Sequence, residues 1–148
     1  MSIIYKNIYK DVICFSIDDN FISKSFIFLS KIMKHFWNWE NYQISWQVEE
    51  ESTSNHEIAI VLIHGFGACK DHWRFNQKNI SLMAPCYALD LVGFGESSQP
   101  NSQLLYEKKT SENFNYCFDN WSQQVYDFCN EVVNKPVLLI GNSIGGVI

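Results

Sequence analysis

The run Val137-Leu138-Leu139-Ile140 leads without a break into Gly141-Asn142-Ser143-Ile144-Gly145-Gly146, a G-x-S-x-G pattern. No other stretch constrains the fold as tightly. A short apolar run opened by Pro136 suits a strand buried on both faces. The glycines then call for a turn so tight that side chains at 141 and 145 would collide where the next helix comes close to its strand. A serine at the apex of such a turn has its hydroxyl exposed. The following N–H, that of Ile144, sits at a helix N-terminus, where developing negative charge is favoured. Ser143 is therefore a candidate nucleophile.

The rest of the chain agrees with a sheet of this kind. Ile58 to Ile63 is a continuous apolar run rich in β-branched residues, as expected of a second buried strand, and Tyr87-Ala88-Leu89 is a third, ending at Asp90. Tyr42, Ile44, Trp46 and Val48 alternate with polar residues, the pattern of a half-buried strand. Glu49 to His56 is a polar surface connection. Asp71 is a candidate N-cap for a helix running to about Met83. Cys117 to Val133 is a helix with Trp121, Val125, Phe128 and Val132 on one stripe. Ser97 to Asn115 has no clear period and reads as a long loop. Strands alternating with helices predict a largely parallel sheet covered on both faces.

Residues 1–36 form a separate N-terminal extension, helical or poorly ordered, ahead of a domain over 37–148. Ile22, Phe26, Leu29, Met33 and Phe36 recur at helical spacing, with Lys24, Lys31 and Lys34 among them. Such a helix either packs on the domain or lies on a membrane or a partner.

Composition narrows the function classes. A net charge of −5 without a basic cluster excludes a nucleic-acid footprint. Five cysteines, Cys14, Cys69, Cys86, Cys117 and Cys129, are an odd number without a C-x-x-C pair. They read as free thiols in a reducing compartment rather than as disulfides or metal ligands. No apolar stretch approaches the roughly 20 residues that span a bilayer, and Asp18-Asp19 interrupts any secretory-signal order. A cytoplasmic protein without cofactor or metal is expected.

Three glycine-bearing loops each follow a buried strand: His64-Gly65-Phe66-Gly67, Gly93-Phe94-Gly95-Glu96-Ser97 and the Ser143 turn. At the carboxyl ends of parallel strands they converge on one crevice. The first loop offers the Phe66 N–H as a second oxyanion donor beside that of Ile144. His64, Gly65 and Asn142 are candidate substrate-binding residues, the His64 ring being alternatively a hydrogen-bonded structural histidine. Asp90 either serves as a catalytic acid or ties down the Gly93–Ser97 loop. His72 and Trp73 pack in the core or line the pocket, and His35 and His56 are expected to be exposed.

His64-Gly65-Phe66-Gly67, Asp90-Leu91-Val92-Gly93-Phe94-Gly95-Glu96-Ser97 and Gly141-Asn142-Ser143-Ile144-Gly145-Gly146, in this order and spacing, resemble the α/β-hydrolase family over about Trp37 to Ile148. More narrowly, Trp37-Asn38-Trp39, His72-Trp73-Arg74, Ala88-Leu89-Asp90-Leu91 and the Ser143 turn look like the pheophytinase-like hydrolases of oxygenic phototrophs. The resemblance implies a three-layer α/β-hydrolase fold and a serine ester hydrolase acting on a small-molecule carboxylic ester, with Ser143 as nucleophile and the Phe66 and Ile144 amides holding the oxyanion.

In that family the triad runs Ser, then Asp or Glu, then His, and no histidine follows Ser143 in this sequence. The expectation is an N-terminal fragment of the fold, its mostly parallel sheet ending at the Ser143 elbow and inactive alone. The alternatives are a non-catalytic binding module and a fragment completed by a partner chain that supplies acid and base. The family's sheet also implies that the Val137–Ile140 strand keeps one unpaired apolar edge.

Overall fold

The computed structural model describes residues 6–7, 12–16, 33–50, 56–102 and 113–148. Strands β1 (Lys6–Asn7), β2 (Val12–Ser16), β3 (Met33–Trp39), β4 (Tyr42–Glu49), β5 (Ala59–Ile63), β6 (Cys86–Leu89) and β9 (Val137–Gly141) form one sheet in the order β1-β2-β9-β5-β6-β4-β3. Its centre is parallel: β2 with β9, β9 with β5, and β5 with β6. Antiparallel pairs close it at both sides, β1 on β2 and the β3–β4 hairpin on β6. β7 (Asn101–Ser102) and β8 (Asn113–Phe114) pair separately.

The two-residue period of the strands divides the core. On β5, Ala59, Val61 and Ile63 join one apolar cluster, whereas Ile60 and Leu62 join the other. The helix α2 (Phe118–Phe128) covers the first face, burying Trp121, Gln124, Val125 and Phe128 at helical spacing. A 3₁₀ turn at Lys70–Trp73 and the short helix α1 (Gln77–Ile80) cover the second face, where Trp73 and Ile80 pack. Each fully buried aliphatic side chain of β5 contributes about 1.5–3 kcal/mol relative to exposure. Beyond α2 the helix widens into a π-helical turn, Cys129–Val133, and ends at Asn134, whose φ is +49°.

Several sequence expectations are corrected. Val137–Ile140 does not keep a bare edge, because β2 from the N-terminal region pairs with it in parallel. The helical spacing read toward Phe36 fails at its end: Met33–Trp39 is a strand, paired with β4 through the Glu40-Asn41 turn. Residues 17–32 lie outside the described residues. The helix from Asp71 to Met83 is two short pieces, with Cys69 rather than Asp71 at the first N-cap. The loop after Ser97 contains the β7–β8 pair, and 103–112 are not described.

β4 is buried on both faces rather than one. Its polar residues Ser45 and Gln47 are inside, but each has a partner. The Ser45 N–H donates to Ser97 Oγ, and Gln47 Nε2 donates to Gln77 Oε1 at 2.7 Å. Such pairing removes the penalty that an unsatisfied buried amide would carry. Among the described residues, Cys69, Cys86, Cys117 and Cys129 are free thiols, and no helix is long and apolar enough to cross a membrane.

Candidate active site

β9 ends at Gly141, and Ser143 follows with φ of +55°, a conformation few L-residues adopt. The surrounding backbone over-determines that turn. The Asn142 N–H donates to the Ile63 carbonyl at 3.0 Å, and the Gly145 N–H donates to the Asn142 carbonyl at 2.9 Å. A Cβ at Gly141 would overlap the Gly145 carbonyl, and one at Gly145 would run into the carbonyls of Ile63 and His64. Glycine is thus required at both positions by close backbone approach, and the 3₁₀ turn Ser143–Gly146 is pulled tight against β5.

The first glycine loop lies directly over the serine. A Cβ built on Gly65 would stand 3.1 Å from Ser143 Cβ and 3.8 Å from its Oγ. Among the described residues, no hydrogen bond of the loops and turns is donated by the Phe66 or Ile144 N–H. Ser143 is solvent-exposed, and among the described residues no side chain hydrogen-bonds its hydroxyl. The Phe66 ring, 74% exposed, leans edge-on against Phe94 of the second loop. Asn142 Nδ2 lies 3.1 Å from Nε2 of His72, so an exposed histidine flanks the turn.

His64 is fully buried and both its ring nitrogens are engaged: Nδ1 with the Gly65 carbonyl at 2.7 Å, and Nε2 as acceptor from the Leu91 N–H at 3.1 Å. That pattern requires a neutral ring with the proton on Nδ1. Burial, the largest influence, holds its pKa below the usual imidazole value, against an opposing lift from the Gly65 carbonyl. The ring thus joins the first and second loops and has no free nitrogen for a ligand. His35 is half-buried, stacked on Trp46 at 4.4 Å, and His56 is also only partly exposed.

Asp90 lies fully buried at the end of β6 and organises both loops. Its Oδ2 accepts from the Glu96 N–H at 2.8 Å and from Lys70 Nζ at 2.9 Å, and its Oδ1 accepts from the Lys70 N–H. Lys70 Nζ also reaches Glu96 Oε2 at 2.8 Å. Burial pulls the Lys70 ammonium down, but the hydrogen bonds to Glu96 and Asp90 outweigh it and raise its pKa above the usual lysine value. Gln124 of α2 adds a third tie, accepting from the Val92 N–H at 3.0 Å and donating to the Asp90 carbonyl at 3.1 Å.

Lys70 and Gln124 are absent from the sequence-based candidates. Gln124 could have been found, since it falls on the buried stripe of Trp121, Val125 and Phe128 where a polar residue demands a partner. Lys70 carries no local signal, because its counter-charge Asp90 is distant in sequence. Among the described residues no group of three or more His, Cys, Asp or Glu side chains could hold a metal ion. The cavity lined by Trp39, Tyr42, Phe114, Asn120 and Gln123 does not include Ser143.

A mostly parallel, helix-covered sheet with a glycine-bounded serine in a positive-φ turn defines a class: α/β folds that mount a residue on a strand-to-helix elbow at the sheet's carboxyl edge. This chain belongs to the alpha/beta hydrolase fold family, whose model matches residues 58–148. It is 31% identical over 101 residues to the 1-acylglycerol-3-phosphate O-acyltransferase ABHD5 of Sus scrofa, covering 68% of this chain and 27% of that protein. It is 27% identical over 118 residues to the (lyso)-N-acylphosphatidylethanolamine lipase of Homo sapiens, covering 79% of this chain and 32% of the lipase. Among solved structures, a membrane phospholipase A described as a bacterial virulence factor superposes with a TM-score of 0.63 at 27% identity, covering 77% of this chain and 32% of that one. The chain thus spans about a quarter to a third of the length of these relatives.

Proposed function

We propose that this chain carries the nucleophile and oxyanion half of a serine hydrolase site that acts on a carboxylic ester. The observation that carries the reading is the Ser143 turn itself: a non-glycine residue held at φ +55° with Gly65 packed on it. Backbone strain of this kind is worth about 1–3 kcal/mol and persists where function uses it. Ser143 Oγ attacks the ester carbonyl as a base removes its proton. The carbonyl oxygen becomes an oxyanion between the Phe66 and Ile144 N–H groups. The alkoxide leaves with a proton, and water then hydrolyses the acyl-serine. The base and its orienting acid are to be sought outside the described residues, whether in further polypeptide of the same protein or in a partner chain.

Within esters, an acyl-lipid substrate is favoured by the relatives whose names are lipase, phospholipase and acylglycerol-phosphate acyltransferase. The narrower resemblance to pheophytinase-like hydrolases is a finer reading within the same ester-hydrolase class; the Trp37 and Trp39 rings in its motif pack edge-on against Phe128 and Phe114.

Chemical rescue tests the reading. The purified chain is given p-nitrophenyl butyrate with and without added imidazole, beside Ser143→Ala. Background turnover alone, and an imidazole-dependent increment that Ser143→Ala lacks, are expected. Absence of any Ser143-dependent increment, or of an acyl adduct at Ser143 by mass spectrometry, refutes the nucleophile. Ser143-dependent turnover without imidazole refutes the external base.

A further inference from the structure

Ser143 follows the end of β9, and the two faces of the sheet flank it with different chemistry. Toward the face covered by α2, the 74% exposed ring of Phe66 rests edge-on against Phe94 at 5.5 Å. Phe94 is held in turn by the His64 ring at 5.4 Å and the Trp121 ring at 5.8 Å, and it packs on the first apolar cluster. The exposed ring is thus the outer end of a column anchored in the core. An aromatic surface fixed in this way takes up an alkyl chain with little further loss of side-chain freedom.

Toward the other face the groups are polar. The Lys70–Trp73 turn packs there through Trp73, and the exposed His72 ring meets the Trp73 ring at 5.5 Å and 90°. His72 Nε2 lies 3.1 Å from Nδ2 of Asn142, the residue before Ser143. An amide nitrogen only donates, so Nε2 accepts and the ring proton sits on Nδ1. An exposed histidine is thereby fixed at two points. Among the described residues neither side chain makes a further hydrogen bond, which leaves a donor, Nδ1–H, and an acceptor, Asn142 Oδ1. A hydroxyl donates and accepts, so it matches such a pair. An anionic group would call for a cation instead, and Arg74 is drawn away to the Asp71 carbonyl at 3.0 Å and over the Phe75 ring at 4.3 Å. We propose that His72 and Asn142 determine specificity for the alcohol portion of the substrate. They hydrogen-bond a second hydroxyl of that alcohol, as in a glyceryl ester, while Phe66 and Phe94 take the acyl chain. The assignment of the two portions rests on the reading of Ser143 as an ester nucleophile.

Binding is read first, without turnover, by nuclear magnetic resonance of the labelled full chain with two ethers, 1-O-hexylglycerol and hexyl propyl ether. The glyceryl ether is expected to shift the His72 ring, the Asn142 side-chain amide and the Phe66 and Phe94 rings with one saturating midpoint. Hexyl propyl ether should shift the two phenylalanines alone and bind about tenfold more weakly, the worth of two ordinary hydrogen bonds. His72→Phe, which keeps a ring on Trp73, should abolish that preference, and His72→Gln, which can still accept and donate, should restore part of it. Alcoholysis is read second. Butyryl-Ser143, formed from p-nitrophenyl butyrate with imidazole, is offered equal glycerol and 1-propanol. The alcohol oxygen attacks the acyl carbon, the bond to Ser143 Oγ breaks, and imidazole carries the proton from the alcohol to Oγ. Monobutyrin should exceed propyl butyrate about tenfold, and the excess should vanish in His72→Phe. Equal affinity for the two ethers, or a preference that survives in His72→Phe, overturns the assignment of His72 and Asn142. Separate midpoints for the two walls overturn it as well. Ether selectivity without any acyl adduct refutes the nucleophile and leaves the hydroxyl site standing; an adduct without hydroxyl preference does the reverse.

Discussion

Replacing Lys70 by methionine would leave the Asp90 carboxylate buried without its counter-ion. Both side chains are essentially inaccessible, with exposures of 1% and 0%, and Nζ stands 2.9 Å from Oδ2. Breaking such a pair by removing one partner costs about 3–5 kcal/mol, because the remaining charge stays desolvated. The carboxylate keeps two backbone donors, the Lys70 and Glu96 N–H groups, so the lower end, about 3 kcal/mol, is expected. Glu96 is 45% exposed, so its share of the network is that of a solvated pair, and Glu96→Gln should cost under about 1 kcal/mol. The diagnostic comparison is Lys70→Met in an Asp90→Asn background, where no buried charge is stranded; there it should cost only about 1 kcal/mol. Urea unfolding followed by far-ultraviolet circular dichroism measures all four, with unchanged m-values as the control. Against a total stability of about 5–15 kcal/mol the difference is easily read. Equal costs of Lys70→Met in the two backgrounds would refute the argument, since the destabilisation would then owe nothing to the stranded carboxylate.

Other consequences can be checked in the same way. Ser143→Gly relieves the φ of +55° at an exposed site and should raise stability by about 1 kcal/mol, read as a higher urea midpoint, while ending any Ser143-dependent acylation. Gly145→Ala forces a methyl against the carbonyls of Ile63 and His64, and should cost about 1–3 kcal/mol by the same assay. Because the His64 pKa is lowered on folding, the unfolded chain takes up that proton first. Its stability contribution is complete above about pH 6.5 and is lost as pH falls below it, by up to about 1.4 kcal/mol per pH unit, a slope that His64→Asn should remove. The Cys129 thiol is pushed up to about 12 by burial and that of Cys86 higher still, so their contributions are present below about pH 9 and are lost as pH rises. Alkaline unfolding should therefore flatten in Cys86→Ala and Cys129→Ala, each against its own neutral-pH baseline.

What the sequence made legible was local. The β5 and β9 runs, the α2 stripe and the glycine pattern around Ser143 are each decided within a few residues, and the structure forms all of them. What it hid depends on partners distant in the chain. Ser45 and Gln47 looked solvent-facing because alternation reports polarity, not the presence of Ser97 and Gln77 to satisfy it. Lys70 drew no sequence-based reading for the same reason, its partners Asp90 and Glu96 lying 20 and 26 residues away. The strand Met33–Trp39 was misread because apolar residues spaced for a helix also suit a strand once a hairpin partner is available. β2 illustrates this most plainly, since nothing near Val12–Ser16 names Val137–Gly141 as its neighbour.

These distant ties also explain how a strained turn can be kept in so small a sheet. Ser143 is pinned through Asn142 to the Ile63 carbonyl, and the chain after Ile63 is pinned in turn by His64 to Leu91. Leu91 and Val92 follow Asp90, whose carboxylate holds Lys70 and Glu96 and whose segment Gln124 fastens to α2. The three loops are therefore one connected body, and most of its links are backbone groups held by a neutral imidazole and a paired carboxylate. Protonating His64 breaks the Leu91 link, because Nε2 can no longer accept, whereas deprotonating Lys70 leaves the two backbone donors on Asp90 in place. The loop framework should consequently fail from the acid side before the alkaline side reaches it. Nuclear magnetic resonance shifts of the Leu91 and Asn142 amides, followed together downward from pH 7, should move with one midpoint below 6.5. Independent midpoints for the two amides would show that the loops are not coupled through His64.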